Sequence, residues 1–65
     1  SNKRKDMIKL QTWQSNNLVA VNPHQVTYVK EAPAGNGCVI YFNGEKSLHV
    51  KNDYLEVISE IGNAL

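Results

Sequence analysis

The stretch CVIYFNGEKSLHV, residues 38–50, constrains this chain more than any other. Asn-Gly between two apolar runs is the strongest short-range signal for a β-hairpin, because tight hairpin turns need positive φ and these residues tolerate it. The spacing predicts one strand over residues 38–42 and a returning strand over residues 45–50. With a two-residue Asn43-Gly44 turn, parity sets the faces. Val39 and Tyr41 then share a side with Lys46, Leu48 and Val50, while Cys38, Ile40 and Phe42 share the other with Glu45, Ser47 and His49.

Upstream, MIKLQTW (residues 7–13) alternates with a period of two, QSNN (residues 14–17) is turn chemistry, and LVAV (residues 18–21) is a second short apolar run. Together they predict a second hairpin. Asn22-Pro23 then interrupts the apolar pattern. Proline fixes φ and lacks a donor, and the Asn22 side chain is suited to bond the backbone two residues on, so NPHQ reads as a corner between strands. VTYVK (residues 26–30) resumes as a strand of β-branched and aromatic residues. EAPAGNG (residues 31–37) reads as a loop.

Asp53-Tyr54-Leu55-Glu56 matches a capping box, in which the aspartate accepts from the amide three residues on and the glutamate reaches back. A helix is expected from there, with Tyr54, Val57, Ile58, Ile61 and Leu65 on one stripe and Gly62-Asn63 as its stop. The fold class that follows is α+β: a small antiparallel sheet of four to five strands with one C-terminal helix packed on one face. Residues 1–6 are read as a basic, disordered tail and residues 7–65 as a single domain.

A chain of 65 residues buries only roughly 60% of the surface it exposes when unfolded, so its own core leaves it marginal. Cys38 is the only cysteine, which excludes an internal disulfide and points to a reducing compartment, here taken as the cytoplasm. No apolar run reaches the roughly 20 residues that span a bilayer, and no signal-peptide layout is present. One helix covers one face of a sheet, yet both faces of CVIYF are apolar. Self-association, most simply a dimer, is therefore expected.

Net charge is +1. Lys3, Arg4 and Lys5 against Asp6 make the first six residues +2. Lys9, Lys30, Lys46 and Lys51 against Glu31, Glu45, Asp53, Glu56 and Glu60 leave the remainder at −1. A domain that works by neutralising phosphates shows a basic face; this one has only a short tail.

Chemistry-bearing residues are few. In the two-residue turn register, Cys38 and His49 lie directly opposite each other, a possible thiol–imidazole pair, but no third group is in place to orient the base. A plain reading makes Cys38 a small core residue and His49 a strand residue. His24, Cys38 and His49 match no zinc spacing, and nothing in the residues asks for a cofactor. Gly35-Asn36-Gly37 leads into a strand rather than a helix, which argues for a hairpin loop over a phosphate cradle. Tyr28 and Tyr41 on neighbouring strands are of the kind that stacks on single-stranded bases. Without a basic groove, packing on the helix or across a dimer interface is the simpler expectation.

Taken together, MIKL, VAVNPHQVTYV, GCVIYFNGEKSLHVKND and YLEVISEI resemble the FlbD-like family of small flagellar-operon proteins, over Met7 to Ile61. The loop EAPAGNGC is longer than that family's connection, and TWQSNN replaces its usual Leu-Asn-Gly turn. The resemblance implies a non-enzymatic accessory protein of bacterial or phage origin and carries no catalytic residues. VNPHQVTYVKE with EKSLHVKNDYLEVISEI is also similar to DNA-binding domains of the LytTR type, although the loop after Lys30 has no further cation. The expectation is thus an interaction module acting through protein–protein contacts, with an unknown protein partner and a second copy of itself. Its candidate contact residues are Trp13, Tyr28, Tyr41 and Phe42. The alternative is a small DNA-binding regulator using Lys3, Arg4, Lys5 and Lys30.

Overall fold

The computed structural model describes residues 7–33 and 35–65. Five strands and a helix follow one another as β1 (Ile8–Gln11), β2 (Leu18–Val21), a 3₁₀ turn (Pro23–Gln25), β3 (Val26–Glu31), β4 (Cys38–Phe42), β5 (Lys46–Val50) and α1 (Tyr54–Ala64). The architecture is α+β. The strands do not form the single sheet of four to five expected from sequence: β1 and β2 make a two-stranded antiparallel sheet, and β3, β4 and β5 a three-stranded one in that order. The basic tail, residues 1–6, lies outside the described residues.

The two sheets are stitched at one corner. Thr12 bridges Val50, the Trp13 amide donates to the His49 carbonyl (3.0 Å), and the Lys51 amide donates to the Gln11 carbonyl (2.8 Å). Beyond this corner the chain leaves β5, and the Asn52 side-chain oxygen takes the place of the next carbonyl, accepting from the Gln11 amide at 2.8 Å. Confining the junction to a corner lets the sheets diverge around a shared core, which a flat five-stranded sheet with one helix cannot enclose.

That core consists of Ile8, Leu10 and Val21 from the first sheet, Cys38, Ile40 and Val50 from β4 and β5, and Val57 and Ala64 from α1, while Val26 and Val29 of β3 pack half-buried against it. The helix touches both β3 and β1. Its cap is Asp53, as the sequence implies, but the carboxylate accepts from Leu55, two residues on, at 3.1 Å. The reciprocal half of the capping box is absent, because Glu56 instead accepts from the Asn52 side-chain amide at 3.2 Å. Gly62-Asn63 does not stop the helix, which runs to Ala64. The inward stripe is Tyr54, Val57, Ile61 and Ala64, whereas Ile58 and Leu65, expected on it, are exposed.

The corner at residues 22–25 forms as expected: the Asn22 carboxamide accepts from the His24 amide at 3.0 Å, with Pro23 buried at the first position of the 3₁₀ turn. The β4–β5 hairpin departs from expectation. Its loop has three residues, Asn43, Gly44 and Glu45, and the register pairs Cys38 with Val50, Ile40 with Leu48 and Phe42 with Lys46. Glu45 is thereby held at φ 63°, which costs a residue with a Cβ roughly 1–2 kcal/mol. In return Val50 is fully buried and Leu48 packs on the core; burying a Val or Leu side chain is worth about 1.5–3 kcal/mol. The tighter turn would place Ser47 and His49 beside Ile40 and Cys38 instead, so core burial overrides the local turn preference.

Candidate interaction face

The one-residue change of register reassigns every side chain of β5. Val39 now pairs with His49 and Tyr41 with Ser47, while on the other side of β4 Tyr28 pairs with Tyr41 and Lys30 with Val39. These six residues share the outer face of the three-stranded sheet, away from the core residues Cys38, Ile40 and Val50. A β-bulge between Val26 and Tyr28 brings Tyr28 into this register. The Thr27 hydroxyl at the bulge donates to the Tyr41 carbonyl at 3.0 Å.

Two ring stacks stand on the face. Tyr28 and Tyr41 lie with centroids 4.5 Å apart and planes 12° from parallel. Trp13, brought in by the corner between β1 and β5, stacks on His49 at 4.9 Å and 6°. Aromatic pairs of this kind add roughly 0.5–1.5 kcal/mol beyond their area. His49 is anchored further by the 2.8 Å hydrogen bond between its Nε2 and the Asn36 carbonyl, to which the imidazole donates. The Lys51 ammonium sits 5.5 Å from the Trp13 ring centre, a cation–π contact. Between the stacks lies Ser47, which on this face lines a concavity of about 490 Å³ against Tyr28 and Tyr41 and another of about 420 Å³ against Trp13 and His49.

Among the described residues, the cations that reach this face are Lys30 and Lys51, and Glu45 of the turn lines the tyrosine concavity. Glu31, Asp53 and Glu56 act instead on the far side of the sheet, around Cys38. Burial foremost, then the negative charges of Asp53, Glu31 and Glu56, pushes the Cys38 thiol above its ordinary range. It is fully buried and donates to the Asn52 carbonyl at 3.5 Å. An inaccessible thiol held protonated is the opposite of an activated nucleophile. The Cys38–His49 pair of the two-residue register does not exist, since the two side chains occupy opposite faces. Among the described residues, no group of three or more His, Cys, Asp or Glu side chains is placed to hold a metal.

Of the residues expected from sequence to make contacts, Trp13, Tyr28 and Tyr41 are brought onto one face. Phe42 points with Ile40 and Cys38 and packs half-buried against the core, while also lining the concavity beside Tyr28 and Tyr41. Lys30 is exposed beside Val39, whereas Lys3, Arg4 and Lys5 lie outside the described residues. Sequence reasoning missed His49, Ser47 and Lys51 as part of the face. The signal for the first two was the apolar pair Leu48 and Val50, which belongs with Ile40 and Cys38. No helix among the described residues is long and apolar enough to cross a membrane. Compared with known proteins, the chain matches no family model, no curated protein and no solved structure.

Proposed function

We propose that this protein is a non-enzymatic interaction module that docks onto another protein through the outer face of β3, β4 and β5 and self-associates as a dimer. The observation that carries the reading is the pair of ring stacks, Tyr28–Tyr41 and Trp13–His49, on a face that the helix leaves uncovered. Tyr28 remains 57% exposed despite its stack. Tyr and Trp at the centre of a patch, with charged side chains such as Glu45 and Lys30 at its margin, match the composition of protein interfaces and of their energetic hot spots. Support for the dimer comes from the apolar side chains left at the surface, Leu18, Leu55 and Leu65 among them.

Nucleic acid is the less favoured occupant of the same face. The two lysines that the described residues bring to this face neutralise roughly two phosphates, against the roughly 6–10 contacts typical of salt-dependent DNA binding. An accessory role in the cytoplasm of a bacterium or a phage host, as the flagellar-operon resemblance implies, fits a module of this kind.

The test compares the wild type with Tyr28→Ala/Tyr41→Ala, whose side chains lie outside the core. In quantitative cross-linking from whole cells, the wild type is expected to hold a defined protein that the double variant, with an unchanged circular dichroism spectrum, loses by about ten-fold or more. A labelled random duplex and single strand are titrated in parallel at two salt concentrations. Tight, salt-steep binding that persists when Lys3, Arg4 and Lys5 are replaced by alanine overturns the reading in favour of DNA.

A further inference from the structure

Four strands lie at the edges of the two sheets: β1 and β5 meet at the stitched corner, and β2 and β3 form the outer edges. Among the described residues, β3 pairs only with β4 on one side, and β2 only with β1 on the other. Free edges invite pairing with another chain, and proteins guard them with bulges and charges. The β3 edge is guarded by the bulge next to Val26 and by Lys30 and Glu31 near its end. The β2 edge is not. From Leu10 to Pro23 the chain carries no ionisable side chain, and Leu18, the first residue of β2, is 73% exposed.

We infer that the β2 edge is the self-association surface of this protein: β2 of one copy pairs antiparallel with β2 of a second, giving a four-stranded sheet β1–β2–β2–β1 across a two-fold axis. Charge selects this occupant. A two-fold axis brings each residue against the same short segment of its copy, so any charge near the axis meets its like; the uncharged β2 segment suits a second copy better than a charged partner. A groove of about 370 Å³ beside β2, between Val19, Ala20 and Val21 on one wall and Phe42, Lys46 and Leu48 on the other, widens the apolar surface next to that edge.

An axis perpendicular to the sheet keeps outward residues together, which leaves two central registers: Ala20 opposite Ala20 of the second copy, or Leu18 opposite Ala20. The Tyr28–Tyr41 face lies on the other sheet, so each protomer keeps its own docking face and the dimer presents two. The inference rests on the proposed self-association and assigns it a surface.

Light scattering during size-exclusion chromatography at high protein concentration tests it. The wild type is expected to show twice the chain mass, and Ala20→Glu the mass of one chain with an unchanged circular dichroism spectrum. Ala20 is exposed and pairs with Lys9, so the new carboxylate has a favourable neighbour within the protomer. A positive control is oxidation of Ala20→Cys, alone and mixed with Leu18→Cys. One of the two is expected to give a covalent dimer, because directly opposed residues meet disulfide geometry and the native Cys38 is buried. A doubled mass that persists in Ala20→Glu, with no covalent dimer, overturns the β2 interface and leaves the dimer itself intact. A wild type of single-chain mass at every concentration overturns both.

Discussion

Asn52 carries more of this structure than its place in a short connection implies. Its side-chain oxygen accepts from the Gln11 amide, its side-chain nitrogen donates to Glu56, and its carbonyl accepts from the Cys38 thiol. One residue thus ties β1, β4 and α1 together just where β5 ends. The Glu56 bond is exposed and contributes little, whereas the Gln11 amide is partly buried. Removing its acceptor leaves a donor unsatisfied, at about 1–3 kcal/mol. Asn52→Ala is therefore expected to lower unfolding stability by that amount in urea titration. Asn52→Asp keeps the acceptor and is expected to recover most of the loss. Neither substitution touches Trp13, Tyr28 or Tyr41. Gly37 is constrained more rigidly, at φ 71° with no room for a Cβ, which would collide with the Val50 carbonyl.

At the scale of elements, the helix shows where the sequence is informative and where it is not. Its existence, its cap at Asp53 and its amphipathic character are legible in DYLEVISEI. The direction of its apolar face is not. Tyr54, Val57, Ile61 and Ala64 form one stripe, and Leu55, Ile58, Gly62 and Leu65 form the adjacent one. Together they cover about half the circumference at 100° per residue. Only the first stripe meets the core. Val57→Ala is expected to cost about 2 kcal/mol, and Ile58→Ala less than about 1 kcal/mol, as read from thermal unfolding of the two variants. The same ambiguity governs β4, apolar on both faces. Strand identity at residues 38–42 is local information, but its inward face is settled by Leu48 and Val50 across the hairpin, through a turn one residue longer than Asn-Gly alone implies. Consequently Tyr28 and Tyr41 were legible as neighbours on adjacent strands. His49 and Ser47 were not, because their face depends on that turn.

For the whole molecule, the functional reading depends on the β4–β5 register. In the observed register Cys38 is sealed in the core, and His49 stacks with Trp13 on the outer face beside the tyrosine pair. One residue of slip would bring Cys38 and His49 together and break up the aromatic face, returning the thiol–imidazole chemistry in its place. Cross-strand NOE contacts in solution NMR measure this directly. The predicted result is close Hα–Hα or amide contacts within the pairs Val39–His49, Ile40–Leu48 and Tyr41–Ser47. Contacts within Cys38–His49, Val39–Leu48 and Tyr41–Lys46 instead would contradict the interaction face and with it the function proposed for it.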